Sequence, residues 1–97
     1  MEYTSNVVEN ILRHYYSLQL HPDSTFSHYK IDVDSGLKVL HDKDSVLYFT
    51  IINVFVNGVP IHDQAKTDGV TSRWVSYRLN EGVNMLTSIM NGELSNE

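Results

Sequence analysis

Residues Val46–Val56 (VLYFTIINVFV) form an apolar run interrupted only by Thr50 and Asn53. The run is rich in β-branched and aromatic side chains, a composition that predicts a strand buried on both faces. Neither alternate set of its side chains is polar. Both sides of such a strand must therefore be covered, and the rest of the chain has to supply the cover.

The flanking segments supply two helices. Val8, Ile11, Leu12, Tyr15 and Leu18 recur at helical spacing, opposite Asn6, Glu9, Asn10, Arg13 and Ser17. This predicts a helix over about 6–20, with Asn6 as N-cap and Glu9 completing a capping box. Pro22 stops it. A second helix is predicted over about 72–91, with Val75, Leu79, Val83, Leu86, Ile89 and Met90 along one stripe and Gly92 as the C-terminal cap. Arg73, Ser76, Tyr77, Asn80, Asn84, Thr87, Ser88 and Asn91 line its polar face. A rival reading makes 73–79 a strand and starts the helix at Asn80. Gly82 inside this helix costs about 1 kcal/mol relative to alanine.

Between the helices the pattern reads as a meander. TFSHYKIDV (25–33) alternates as a half-buried strand, Asp34-Ser35-Gly36 as a turn, LKVLH (37–41) as a short strand and 42–45 as a second turn. Asn57-Gly58 suits a hairpin turn. Pro60 limits the return arm, 59–62, to an edge strand. Residues 63–71 read as a polar, mobile loop. The expected fold is one α+β domain over 1–97, in the order α-β-β-β-(β)-α, with an antiparallel sheet packed against two amphipathic helices.

Composition narrows the functional classes. With no cysteine, disulfides and thiolate metal sites are excluded. Seven basic against twelve acidic residues give a formal net charge of −5, which argues against direct nucleic-acid binding through phosphate contacts. The N-terminus lacks a basic region followed by an apolar one, and no apolar run approaches the roughly 20 residues of a membrane-spanning helix. The expected location is cytoplasmic. A core this small is marginal alone, so a homodimer is kept as an expectation beside the monomer.

The sharpest local motif is His21-Pro22-Asp23, which follows LRHYYSLQL. The fragment resembles the end of the second helix and the His-Pro-Asp loop of a J domain. That resemblance implies a co-chaperone stimulating a chaperone ATPase through His21, Pro22 and Asp23. It covers about thirteen residues and departs from the family in three ways. Ser24 stands where the family has lysine, the following segment reads as strand rather than helix, and only five residues precede Asn6. The simpler reading is a helix ended by proline, with His21 near its negative end. The predicted αβββα order is also similar to that of double-stranded-RNA-binding domains. The basic residues expected at the second helix reduce here to Lys66, Arg73 and Arg78, offset by Asp63 and Asp68. Small acidic secretion chaperones are comparable in fold class alone.

Other constellations are weaker. His28, His41 and His62 could converge, but no HxH or HxxxH pair is present, so no metal or cofactor is expected. Asp32-x-Asp34-x-Gly36 resembles the start of a calcium loop, yet Lys43 occupies the position that needs a bidentate glutamate. If strand ends adjoin, Asp32, Asp34, Asp42 and Asp44 gather as an acidic patch able to dock a basic surface. Arg73 and Tyr77 on the second helix have the composition of a binding hot spot, whereas the other aromatics fall mostly at core spacing. No nucleophile elbow, phosphate loop or dinucleotide fingerprint is present. The expected function is non-enzymatic: an inhibitor or adaptor that binds a protein partner stoichiometrically, of the kind a phage or mobile element encodes. The alternatives are an acidic nucleic-acid mimic and a small-molecule or catalytic domain using the histidines.

Overall fold

The computed structural model describes residues 2–15 and 27–93, and among them every regular element is helical. The helices are α1 (Ser5–Arg13), α2 (Ser27–Lys43), α3 (Ser45–Ile51), α4 (Ile61–Asp68) and α5 (Ser72–Met90), with a π-helical segment, Ile52–Val56, continuing α3. No strand occurs among the described residues. The α+β meander is thus replaced by a helical bundle. His21, Pro22 and Asp23 lie outside the described residues. From Ser27 the chain is helix, which removes one of the departures from the J-domain pattern; Ser24 remains another. The likenesses to RNA-binding domains and secretion chaperones rested on a sheet and fall with it.

The long helix α5 organises the bundle and packs against α1, α2, α3 and α4. Its buried side is Val75, Leu79, Gly82, Val83, Leu86 and Thr87. Thr87 sits on this side, although its position in the helical pattern placed it with the polar residues. Its hydroxyl donates to the Val83 carbonyl at 2.7 Å, which satisfies the group locally and lets it be buried. Thr71 caps the helix by accepting from the Trp74 N–H at 3.1 Å. The rival strand over 73–79 is absent. The molecule measures 37 × 34 × 20 Å, and its thin dimension is about two helix diameters.

The region read as three strands forms helices for identifiable reasons. In α2, Val33, Leu37 and Leu40 are buried and Tyr29 packs beside them, the i, i+4, i+8, i+11 series of a helix. Gly36 was the turn signal. It instead lies inside α2, where an added Cβ would come within 2.9 Å of Leu86 Cδ1 and 3.0 Å of Met90 Cγ. It is glycine because α5 passes close by. In Val46–Val56, Leu47, Thr50 and Ile51 face the core at i, i+3, i+4. Asp44, read as part of a turn, caps α3 by accepting from the Leu47 N–H at 3.1 Å. Thr50 donates to the Val46 carbonyl at 2.8 Å, so the first interruption in the run pairs within its own helix. Short apolar runs do not distinguish strand from buried helix by periodicity, and tertiary burial overrides the modest β preference of Val and Ile.

Two further boundaries move. The cap of α1 is Thr4, whose side chain accepts from the Val7 N–H at 3.3 Å, so the helix begins at Ser5 rather than after Asn6. Glu9 pairs with Arg13 at 3.3 Å instead of closing a capping box. Ile61 and His62 of the 59–62 arm and most of the 63–71 loop become α4, while Val59 and Pro60 lead into it. Pro60 precedes its first turn, and the Pro60 carbonyl accepts from the Asp63 and Gln64 N–H groups, both at 3.0 Å. Gln64 and Ala65 are buried, which fixes this polar helix to the bundle.

Candidate binding surface

Five large apolar side chains remain exposed among the described residues: Ile31 (71 %), Tyr77 (67 %), Val46 (53 %), Phe49 (52 %) and Trp74 (48 %). Four of them belong to one surface where α3 and α5 lie together. Val46 and Phe49 project from the outer side of α3, opposite Leu47 and Ile51 in the core. They line a cleft of about 240 Å³ with Asn53 of the π segment, Asp68 of α4 and Arg78 of α5. The Arg78 guanidinium then lies over the Trp74 ring at 5.4 Å. Trp74 stacks with Tyr77, centroids 6.3 Å apart and planes 6° from parallel.

Helical spacing explains the row on α5. Positions 74 and 78, and 73 and 77, are separated by one turn and lie side by side. Thr71 caps the helix, so these residues occupy its first two turns. A cation over an indole and a stacked aromatic pair hold the large side chains in place before any partner arrives, lowering the entropy lost on binding. On the α3 side the row continues as an edge-on aromatic group, with His41–Tyr48 centroids 4.8 Å apart and Tyr48–Phe49 centroids 5.1 Å apart.

The residues singled out from sequence are placed differently. Asp32 accepts from the Tyr3 hydroxyl at 2.5 Å, and Asp34 accepts from the Tyr15 hydroxyl. Asp44 is the α3 cap, and Asp42 is exposed beside His41, with 3.8 Å between Nδ1 and Oδ1. Asp32, Asp34 and Asp42 point in different directions around α2, and Asp32 is about 15 Å along the axis from Asp42. The premise of adjoining strand ends is gone, and no single acidic patch forms from the four. Arg73 and Tyr77 are both exposed on α5, and Tyr77 belongs to the aromatic surface through its stack on Trp74. Val46, Phe49, Trp74 and Arg78 are members that sequence reasoning missed; Trp74 and Phe49 counted as core. The available signal was the 73/77 and 74/78 spacing, which puts two arginines and two aromatics on one side of a helix.

The His28 side chain lies outside the described residues, and the described histidines His14, His41 and His62 share no cluster able to hold a metal ion. His62 lies 3.0 Å from Asp63, and His14 Nδ1 contacts the Asn10 carbonyl at 2.8 Å. Among the described residues no three His, Asp or Glu side chains are placed to hold a metal ion. The surroundings of Tyr3 alter its titration. Burial, then the hydrogen bond and charge of Asp32, then Tyr29, push its hydroxyl from 10.0 up to about 12. Tyr3 borders a second, broader depression with Asp32, Ser35 and Met90, but its hydroxyl is already committed to Asp32. No described helix is long and apolar enough to cross a membrane.

Compared with protein-family models, with curated proteins and with solved structures, the chain matches none.

Proposed function

We propose that the chain is a non-enzymatic protein-binding module of the cytoplasm, acting stoichiometrically as an inhibitor or adaptor. The observation that carries this reading is the continuous surface of Val46, Phe49, Arg78, Trp74 and Tyr77. Tryptophan, tyrosine and arginine are the residues that dominate binding energy at protein interfaces. Isolated exposed apolar residues are ordinary, but a connected aromatic set beside a shallow cleft is the arrangement expected of a docking surface. The cleft is small and contains one arginine and one aspartate among largely neutral side chains, which suits the seating of a partner side chain.

The test is affinity capture from the source cell with the wild-type chain and with a Trp74→Ala/Tyr77→Ala variant, alongside light scattering of each. One partner at constant stoichiometry with the wild type, lost with the variant, is the expected outcome. Undiminished capture by the variant would remove this surface from the proposal. Capture of no partner by the wild type would overturn the proposal itself.

A further inference from the structure

Two Asn-Gly pairs occur in the chain, Asn57-Gly58 and Asn91-Gly92. In such a pair the glycine backbone nitrogen can attack the asparagine Cγ, since no Cβ on the attacking residue hinders it. A new N–Cγ bond closes a five-membered succinimide while the Cγ–Nδ2 bond breaks. The attacking amide gives its proton to solvent, and the departing nitrogen takes one and leaves as ammonia. One water then opens the ring at either carbonyl, giving aspartate or isoaspartate. No oxidant or cofactor is needed.

The two pairs share nearly the same backbone geometry. Asn57 ends the π segment at φ −86°, ψ −9°, and Asn91 ends α5 at φ −84°, ψ 0°. The following glycines have φ of 73° and 76°. They differ in what holds the reacting groups. Asn91 Oδ1 accepts from the Tyr3 N–H at 2.7 Å, and Asn91 Nδ2 donates to the Tyr3 carbonyl at 2.9 Å. The nucleophile there is engaged too, because the Gly92 N–H donates to the Ile89 carbonyl at 3.0 Å. To react, Asn91 must give up all three bonds.

Asn57 is exposed, and among the described residues its side chain makes one long contact, Nδ2 to Asn53 Oδ1 at 3.5 Å. The Gly58 N–H donates no hydrogen bond among the described residues, and no atom lies within 4 Å of where a Gly58 Cβ would stand. We infer that Asn57 is a self-modification site, converted to aspartate or isoaspartate in the folded protein, while the Tyr3 clamp protects Asn91. Conversion adds a negative charge to a chain already at −5 and places it at a helix C-terminus, where the dipole opposes it. It also replaces the Asn57 donor with a carboxylate facing Asn53 Oδ1. Asn53 lines the cleft of the candidate binding surface, so the modification reaches one of its walls.

The test is incubation of the full-length folded chain in mildly alkaline buffer, with ion-exchange separation of acidic variants and peptide mapping of the amide-to-acid mass gain. The same chain unfolded in urea serves as reference. Asn57 should convert at least about tenfold faster than Asn91 in the folded chain, a factor within reach of two or three net hydrogen bonds. The two rates should converge in urea, and Asn57→Gln should remove the early acidic variant. Equal rates in the folded chain, faster conversion at Asn91, or conversion at Asn57 only in urea would each overturn the inference.

Discussion

The two halves of α5 carry different loads. From Leu79 onward the helix is enclosed: Gly82 lies against Ile51 of α3, Leu86 against Gly36 of α2, and the Asn91 cap grips the Tyr3 backbone. In the first two turns only Val75 is fully buried, while Trp74 and Tyr77 stack on one another in the open. The same helix therefore serves as the spine of the bundle at one end and as a display surface at the other. Substitutions at the enclosed end should be read out as stability, and those at the open end as binding with stability kept.

The sharpest way to break that division is Leu86→Ala. Leu86 has no exposed surface and stands where α2 meets α5, so truncation should cost about 2–5 kcal/mol in urea unfolding. A loss no larger than that of a surface substitution would show that the enclosed half is not the spine. Gly82→Val comes next. An added Cβ already falls 2.7 Å from Ile51 Cδ1, and Ile51 is itself fully buried and cannot swing into solvent. The variant should lose about 1–3 kcal/mol through overpacking, although valine favours helix more than glycine does.

Tyr3 sharpens the comparison through pH. Its folded pKa, about 12, lies above the ordinary 10.0, so the folded chain holds the phenolic proton more tightly than the unfolded chain. The stabilisation is complete below pH 10 and is lost as pH rises towards 12. Wild type should lose stability across that window more steeply than Tyr3→Phe. Parallel denaturation curves for the two would exclude the assignment. The smallest expected effect is at the open end: the Trp74→Ala/Tyr77→Ala variant should stay within about 0.5 kcal/mol of wild type per site. A larger loss would mean that the aromatic row supports the fold rather than displaying a surface.

Particular residues show how far the sequence could be read. Val8, Ile11 and Leu12 of α1, and Val75, Leu79, Val83 and Leu86 of α5, are buried where their helical periodicity put them. Each of those helices has one polar and one apolar side, and contrast between sides is what periodicity detects. Val46–Val56 has no such contrast. Leu47 and Ile51 face the core while Val46 and Phe49 face outward, and all four are equally apolar. α4 fails in the opposite sense, since its buried residues include Gln64 and its polarity mimics a loop. The candidate surface was legible only in part: Tyr77 lies on it, whereas Trp74 and Phe49 resembled core residues.

By itself the sequence determined the amphipathic faces of α1 and α5, the acidic balance, the exclusion of cysteine chemistry and the presence of two Asn-Gly pairs. These depend on residue identity and on neighbours within a turn or two of chain. Only the tertiary structure decided that 27–56 is helical, that Gly36 and Gly82 are points of close helix approach, and that Tyr3 secures Asn91 while, among the described residues, nothing comparable secures Asn57. It also decided that Trp74 and Phe49 stay in the open. Whether an apolar side chain is covered, or a backbone N–H engaged, is settled by an element arriving from elsewhere in the chain, and local periodicity does not encode that arrival.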